Sequence, residues 1–383
     1  MTLSPTPSAP RRVRIGLVGF GLGGRIFHAP FITNCERTEL VGIVVNNPER
    51  QADARAEYPE AQIVPDLDAL LDCGVDAVVI STPPATHRDL VIQAAQAGVH
   101  VLVDKPFALT VAEAQEMTAA AQQSGVQLTV FHNRRWDPDL VTALAVLSSG
   151  QLGEVTRAEI RLDSPKASYE RLAAQSGVLR DLGSHLVDQA VQLCGPITSV
   201  YAQLTYVDAP SADAAAAHAA PADAPHADPT GGAVRVDSGF ALALTHANGQ
   251  HSLLTSRKMP GEQDREMRIF SRTGAYISRY SDVQEVALRA GERPTPGSTT
   301  WGVEHRERWG TLITVEKGEL CEQRIPSLQG DYTLLYDAFA AAILDGVPNP
   351  VPPAQALHVL AVLEAARESD RTGQAVTVEA HRG

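Results

Sequence analysis

Near its start the chain reads Val13-Arg14-Ile15-Gly16-Leu17-Val18 and then Gly19-Phe20-Gly21-Leu22-Gly23-Gly24. The first six residues are typical of a buried strand, and the next six match the pattern G-x-G-x-x-G. Glycines here permit a tight turn, close approach of the backbone to a pyrophosphate, and close packing of the following helix. An ordinary glycine-rich turn is the alternative, but the position between a strand and a helix favours a dinucleotide site. Its expected contacts are Gly19, Phe20, Gly21, Gly23, Gly24 and Arg25.

Strands and helices continue to alternate over the first third of the chain. The further strand-like runs are Glu39–Val45, Val75–Ile80, Val99–Val103 and Gln127–Phe131, and helical segments lie between them. This alternation predicts an α/β fold whose N-terminal part is a doubly wound parallel sheet, a Rossmann domain. We expect that domain to span 13–135, after a flexible tail at 1–12. Ligands of such sheets lie at the carboxyl ends of the strands, so the residues directly after each strand are candidates for the site.

The pattern changes beyond Trp136. Strand-like runs now follow one another without regular helices between them, which predicts a C-terminal α+β domain at 136–383 with an open, mostly antiparallel sheet. An Ala/Pro/Asp/His-rich stretch at 208–232 contains few large apolar residues, so we expect a flexible insertion there. Two amphipathic helices, Tyr332–Leu344 and Ala354–Glu368, are expected near the end of the chain.

Composition and charge exclude several classes of protein. The chain has 383 residues and a net charge of −13, which disfavours binding to nucleic acid or to anionic membranes. No apolar run approaches the roughly 18 residues that a spanning helix needs. The four cysteines are far apart and form no CxxC pair, so we expect a reducing cytoplasm and no zinc site. No other pattern predicts a bound metal.

The end of the second predicted strand bears on the choice of cofactor. NAD-selective sites usually carry an acidic residue there to bind the ribose 2′-hydroxyl. This chain has Asn46 and Asn47 instead, and Arg50 follows in the first turn of the next helix, where it could reach a 2′-phosphate. The sequence therefore favours NADP and leaves NAD possible. The alternative is that Arg50 merely faces solvent.

Residues after two further strands are also candidates for cofactor contacts. Thr82, Pro83 and His87 follow the strand that ends at Ile80, and Asp104 follows the strand that ends at Val103. They are expected at the same edge of the sheet as the glycine loop. His87 could instead cap its own helix.

Lys105 is the first catalytic candidate. It is one of only four lysines, and it follows a predicted buried strand within Val103-Asp104-Lys105-Pro106. A lysine at this edge places a compact cation beside a bound cofactor or a substrate oxygen. A surface ion pair between Asp104 and Lys105 is the alternative.

Asp181 and His185 are the other catalytic candidates. They lie four residues apart in a helical pattern, so their side chains are expected on one face, where they could share a hydrogen bond. Such a contact would orient the imidazole as a general base for a hydroxyl proton. The alternative is a surface pair on a solvated helix.

A third polar cluster ends the last predicted parallel strand. We expect it to bind a hydroxylated substrate through His132, Asn133, Arg134 and Trp136. A polar hinge between the two domains is a second interpretation, and the two are compatible.

Taken together, these motifs resemble the Gfo/Idh/MocA oxidoreductase family, within it most closely the NADP-dependent scyllo-inositol dehydrogenase-like branch. The segments that carry the resemblance span nearly the whole chain and are the glycine loop, Phe27-His28-Ala29-Pro30, Thr82-Pro83-Pro84-Ala85-Thr86-His87, Asp104-Lys105-Pro106, His132-Asn133-Arg134-Arg135-Trp136-Asp137, Asp181-Leu182-Gly183-Ser184-His185 and Trp301-Gly302. The chain departs from the branch before Asp181, where Ser164–Arg171 lacks the usual Arg-Pro and Trp-Arg segments and Arg180 replaces a frequent tyrosine.

The resemblance implies a function and roles for residues. Lys105 would polarise the reacting oxygen, His185 would act as acid and base, and Asp181 would orient the substrate or His185. The second domain would bind the substrate and form a homo-oligomer, a dimer or a tetramer. We therefore expect a cytoplasmic NAD(P)-dependent oxidoreductase that acts on a cyclic polyol or sugar. An NAD-dependent glycoside hydrolase of the same fold and a non-catalytic nucleotide-sensing protein are the alternatives.

Overall fold

A computed structural model describes residues 11–164, 177–209, 234–258 and 264–379. Most of the predicted tail, the insertion apart from Asp208 and Ala209, and Pro165–Arg171 of the departing segment lie outside the described residues. Asp208 and Ala209 belong to a strand.

The N-terminal sheet has six parallel strands in the order β3-β2-β1-β4-β5-β6. They are β1 Val13–Val18, β2 Thr38–Val44, β3 Gln62–Val64, β4 Ala77–Ile80, β5 His100–Val103 and β6 Leu128–Val130. The helices of this part are α1 Ala29–Asn34, α2 Pro48–Glu57, α3 Leu67–Leu71, α4 His87–Gln96 and α5 Val111–Ser124. This arrangement confirms the predicted doubly wound sheet, and each strand predicted from the sequence lies within two residues of its bounds.

Local sequence explains where these elements start and stop. β4 is buried at every position because helices cover both faces of a parallel sheet. The side chains of Asn47 and Thr110 cap α2 and α5, because each accepts a hydrogen bond from a backbone N–H group in the first turn of its helix. α5 ends at Gly125, whose φ of 68° lies in the left-handed region that favours glycine.

The second sheet is mixed and has nine strands in the order β14-β13-β12-β11-β7-β10-β9-β8-β15. The pair β10–β7 is parallel and the other neighbours are antiparallel, in agreement with the predicted mostly antiparallel sheet. The strands are β7 Val155–Leu162, β8 Ile197–Ala209, β9 Val234–His246, β10 His251–Arg257, β11 Arg265–Ser271, β12 Gly274–Ser278, β13 Gly310–Glu316, β14 Glu319–Ile325 and β15 Val376–Thr377. The remaining helices are α6 Pro138–Ser148, α7 Ser184–Cys194, α8 Val283–Arg289, α9 Thr333–Leu344 and α10 Pro353–Thr372.

The end of the chain returns to the first sheet. The hydrophobic core around β1 and α1 includes buried side chains from α9 and α10, among them Tyr336, Phe339 and Leu360. The ring of Phe31 lies 5.4 Å from the ring of Tyr332, centre to centre. α10 also buries Val359 and Val362 in the core of the second sheet, so shared packing joins the two sheets. Among the described residues, no helix is both long and apolar enough to span a membrane.

Candidate active site

The glycine loop lies at the carboxyl end of β1 and packs too closely for larger residues. A β-carbon added at Gly24 would lie 2.0 Å from the carbonyl oxygen of Gly19, and one added at Gly19 would lie 2.4 Å from that of Ser81. A β-carbon at Gly21 would meet only the guanidinium of Arg50, at 3.8 Å. Gly19 and Gly24 thus serve close packing, whereas Gly21 keeps backbone accessible beside a cation. This cradle fits a dinucleotide pyrophosphate.

Arg50 and Arg25 have different surroundings, although both were predicted to bind the cofactor. Arg25, in a π-helical turn at Gly23–His28, forms ion pairs with Asp53 and Glu57 of α2. Its guanidinium is therefore held by protein carboxylates. Arg50 makes no ion pair with a described residue and lies over the loop at Gly21.

The two asparagines after β2 also differ. The side chain of Asn47 accepts a hydrogen bond from the backbone N–H of Arg50 at 3.0 Å, so it caps α2. Asn46 is exposed next to it and makes no such bond. Neither side chain carries a charge that would repel a 2′-phosphate.

His87 is buried and bridges two loops. One of its ring nitrogens lies 3.0 Å from the carbonyl oxygen of Thr82, and the other lies 3.1 Å from that of Pro106. Burial lowers its pKa. Both nitrogens face backbone groups, so the structure does not support the predicted cofactor contact by the His87 ring. His87 instead fixes Thr82 and Pro83 against the Lys105 loop, and Thr82 borders the glycine loop at Gly19.

Asp104 is held by polar contacts on several sides. It accepts hydrogen bonds from the hydroxyl of Ser81 at 3.0 Å and from the backbone N–H of Lys105 at 2.8 Å. The oxygen that accepts from Ser81, Oδ2, also lies 3.3 Å from Nε2 of His28. Nδ1 of His28 lies 2.7 Å from the hydroxyl of Tyr336. Burial raises the pKa of Asp104, but His28 and the charge of Lys105 outweigh burial and leave it below its usual value.

These contacts make Asp104 an anchor for the start of the Lys105 loop. Ser81, His28 and Tyr336 were not predicted as site residues. The segment Phe27–Pro30 carried the family resemblance, but nothing in its sequence indicated a contact with Asp104.

Asp181 binds two lysines. Lys105 Nζ donates to Asp181 Oδ1 at 2.6 Å and to the Asp181 carbonyl oxygen at 3.1 Å, while Lys258 Nζ donates to Oδ2. Burial raises the pKa of Asp181, but the charges of the two lysines outweigh burial and hold that pKa well below its usual range. Asp181 is therefore a carboxylate with an ammonium on each oxygen. The surface pair of Lys105 with Asp104 is not formed.

His185 lies in the first turn of α7 and is 5% exposed. Neither of its ring nitrogens makes a hydrogen bond to a described residue, and its Nδ1 is buried without a partner. Burial is the main reason that the pKa of His185 lies well below its ordinary value, and the positive charge of Lys105 lowers it further. At neutral pH the imidazole is thus neutral, with a nitrogen free to accept a proton.

The predicted hydrogen bond between Asp181 and His185 is wrong. Asp181 lies in a π-helical turn at Leu179–Gly183, which changes its spacing relative to α7, and its carboxylate is taken by the lysines. The solvated-helix alternative is also wrong, because His185 and Asp188 of α7 are buried.

The third polar cluster divides between the site and the junction of the two parts. The guanidinium of Arg134 binds Asp282 at 2.7 Å and Asp137 at 3.1 Å, which favours the hinge interpretation for this residue. His132 is buried, with its Nδ1 unpartnered, and burial lowers its pKa. Asn133 is buried beside it, and Trp136 packs against the N-terminal core.

The structure thus brings together a partly buried ammonium, a carboxylate and a neutral imidazole, close to a glycine loop shaped for a dinucleotide. An ammonium can stabilise negative charge on an oxygen, and a neutral imidazole can take up its proton. This combination suits the interconversion of an alcohol and a carbonyl group. Lys258 is the one member of this group that sequence reasoning missed.

Comparisons with known proteins agree with this geometry. Residues 13–132 match the family model described as "Oxidoreductase family, NAD-binding Rossmann fold", and residues 140–277 match the "GFO/IDH/MocA C-terminal domain". The chain is 28% identical to scyllo-inositol 2-dehydrogenase (NADP(+)) IolW of Bacillus subtilis, over 96% of each chain. It is 31% identical to the uncharacterised oxidoreductase YdgJ of Escherichia coli, over 93% of this chain and 96% of that protein.

Solved structures give the same result. An oxidoreductase from Bacillus cereus superimposes with a TM-score of 0.79 at 25% identity, covering 97% of this chain and 100% of the other. The two family models together cover more than half of the chain, and they match the first sheet and strands β7 to β11 of the second. The chain belongs to the Gfo/Idh/MocA family and is an oxidoreductase with an NAD(P)-binding Rossmann domain.

Proposed function

We propose that the protein is an NADP-preferring dehydrogenase or reductase that transfers hydride between nicotinamide and a cyclic polyol or sugar. One observation carries this proposal: the Lys105 ammonium binds the carboxylate and the carbonyl oxygen of Asp181, four residues before the buried, unpartnered imidazole of His185. A cation and a neutral base in one site match what the oxidation of an alcohol demands. The relative IolW bears the name of an inositol dehydrogenase, which supports the substrate class.

Each residue has a role in the oxidation. His185 takes the proton from the reacting hydroxyl group, because its ring is neutral and has a free nitrogen. Lys105 donates a hydrogen bond to the same oxygen and stabilises its developing negative charge, while Asp181 holds the ammonium in place. When bound, the nicotinamide supplies the hydride acceptor, or the donor for the reverse reaction. His185 is buried and Lys105 and Asp181 are partly buried, which limits the access of water to these groups.

The cofactor preference is carried by Arg50. Its guanidinium lies beside Gly21, free of carboxylates among the described residues, and no acidic residue ends β2. Replacing Arg50 by Gln should weaken NADPH binding about tenfold or more and leave NADH binding nearly unchanged, because only NADPH carries the 2′-phosphate. Fluorescence titration with both cofactors measures this. Equal losses for the two cofactors would contradict the NADP preference.

A panel of polyols, aldoses and ketoses, followed by absorbance of the reduced nicotinamide with each cofactor, tests the proposed reaction. We expect turnover of at least one member with release of free reduced cofactor. Bond cleavage in a glycoside without net release of reduced cofactor would favour the glycoside hydrolase alternative. An absence of redox turnover across the whole panel would favour a nucleotide-sensing protein.

The assembly, location and domain division stay predictions. We propose a homo-oligomer, a dimer or a tetramer, with a dinucleotide-binding domain at 13–135 and a substrate-binding domain at 136–383, in the cytoplasm. Light scattering coupled to gel filtration gives the mass of the assembly, and a monomer at micromolar concentration would contradict the oligomer.

A further inference from the structure

Lys258 occupies a fixed position in the second sheet. It follows β10 directly, its backbone N–H donates to the carbonyl oxygen of Ser238 at 2.8 Å, and it forms a bridge with Ser164 at the end of β7. Its side chain is 12% exposed, and its ammonium contacts the Oδ2 oxygen of Asp181. The backbone of two neighbouring strands thus fixes the point from which this side chain reaches Asp181.

The contact with Lys258 restrains the carboxylate of Asp181. A carboxylate with one partner can rotate about its last side-chain bond, whereas one bound at both oxygens by separate groups has its plane defined. Lys105 takes Oδ1 and also the carbonyl oxygen of the same residue. The position of Asp181 therefore determines the position of the Lys105 ammonium.

The two partners of Asp181 are both lysines, and arginine at either place would bind the carboxylate differently. Only four of the chain's 32 basic residues are lysines, and two of these four bind Asp181. A lysine presents a compact point charge, while the planar guanidinium of arginine would bind both carboxylate oxygens itself. Lysine at each oxygen lets a single carboxylate serve two elements of the structure.

We infer that Lys258 is a positioning residue of the hydride-transfer site: it holds Asp181 from the second sheet so that Asp181 presents Lys105 to the reacting oxygen. This inference rests on the proposed function. A displacement of about 1 Å in a catalytic group can cost about 100-fold in rate. Loss of Lys258 should therefore lower kcat, with little effect on cofactor binding.

The experiment compares Lys258→Met, Lys258→Arg, Asp181→Asn and the double variant Lys258→Met/Asp181→Asn with the wild type, on a substrate found in the panel. Lys317→Met is the matched control, because Lys317 is an exposed lysine in the turn between β13 and β14. We expect Lys258→Met to lower kcat by about 10- to 100-fold, with KM and the dissociation constant of NADPH within about twofold of the wild type.

The double variant tests whether the effect of Lys258 on kcat depends on Asp181, as a positioning role requires. In the Asp181→Asn background, removal of Lys258 should change kcat by less than about twofold, since Lys258 acts through Asp181. Thermal unfolding should show the same non-additivity. Lys258→Arg should also lower kcat, because its guanidinium would bind both oxygens of Asp181 and displace Lys105 from Oδ1, and it serves in place of Lys258→Met if that variant does not fold.

Several outcomes would overturn the inference. Wild-type kcat in Lys258→Met, a change confined to KM, or additive losses in the double variant would each show that Lys258 does not act by holding Asp181. A wild-type enzyme without turnover on any panel member would overturn the proposed function and this inference together. An active wild type with an unaffected Lys258→Met variant would overturn this inference alone.

Discussion

At the scale of single residues, the site depends on keeping His185 neutral. Burial of its ring opposes protonation, and the positive charge of Lys105 lowers its pKa further. A histidine in water is about half protonated at pH 6.5, and the protonated form cannot act as a base. The base form of His185 is therefore available at and below neutral pH.

Replacing Lys105 by Ala or His185 by Asn should lower turnover by about 100-fold or more, since each change removes a group that acts on the reacting oxygen. NADPH should still bind, because neither change alters the glycine loop. Steady-state kinetics and a fluorescence titration measure the two effects, with Lys317→Ala and His251→Asn as controls at exposed positions. Near-wild-type turnover in either site variant would refute the assigned roles.

At the scale of elements, different glycines of the loop serve different purposes: one allows close packing of the backbone, and another leaves room for the ligand. Gly24 lets the helical turn pack on the Gly19 backbone, where an added β-carbon would lie 2.0 Å from an oxygen. Gly21 has free space apart from Arg50. Packing therefore constrains Gly24, and ligand approach constrains Gly21.

Alanine at these two positions should have different effects. Gly24→Ala should lower both the melting temperature and the affinity for NADPH, because the backbone must move to accept the methyl group. Gly21→Ala should leave the melting temperature within about 2 °C of the wild type and weaken NADPH binding. Calorimetry in the absence of cofactor and a binding titration measure the two. Equal loss of melting temperature in both variants would contradict this division.

Elements with a strong hydrophobic pattern could be predicted from the sequence, and weak ones could not. β4 and β5 are apolar runs bounded by turns, and their positions were predicted within two residues. β3 has only three residues, none fully buried, and so gives no strand pattern of its own. β12, β13 and β14 were also missed, since β12 and β13 bury only two residues each and β14 buries none, so their hydrophobic pattern is weak.

The site shows the same division. Lys105, Asp181 and His185 were found because they follow a strand or share a helical pattern. Lys258 meets Asp181 from 77 positions away, and His28 meets Tyr336 from 308 positions away. Distances of this kind leave no local signal. The scarcity of lysine, which singled out Lys105, applied equally to Lys258 and was the one available indication.

At the scale of the whole molecule, buried charges join the two parts. Arg134 binds Asp137 and Asp282, and Arg135 binds Asp188 of α7 at 2.6 Å. Asp139, at the start of α6, is 3% exposed, and its carboxylate accepts a hydrogen bond from Gln189 at 3.3 Å. Burial raises the pKa of Asp139 to about 7.

This shift makes stability depend on pH. Between the ordinary pKa of 3.8 and about 7, the folded state holds a proton on Asp139 that the unfolded state has lost. The free energy of unfolding should therefore fall, relative to Asp139→Asn, by up to about 1.4 kcal/mol per pH unit as the pH rises toward 7, and then level off. Urea unfolding of both proteins from pH 5 to 8 measures the difference, because the other groups titrate in both. If the free energy of unfolding depended on pH in the same way in both proteins, Asp139 would not hold a proton in the folded state.

The packing of α9 and α10 into the first core affects biosynthesis. A nascent chain emerging from the ribosome exposes β1 and α1 long before their final covering exists, since Tyr336 follows His28 by 308 residues. Until synthesis is complete, apolar surface of the first sheet remains open to mistaken association. We therefore expect a truncation after residue 135 to aggregate, and the newborn polypeptide to depend on chaperones until its last helices leave the exit tunnel.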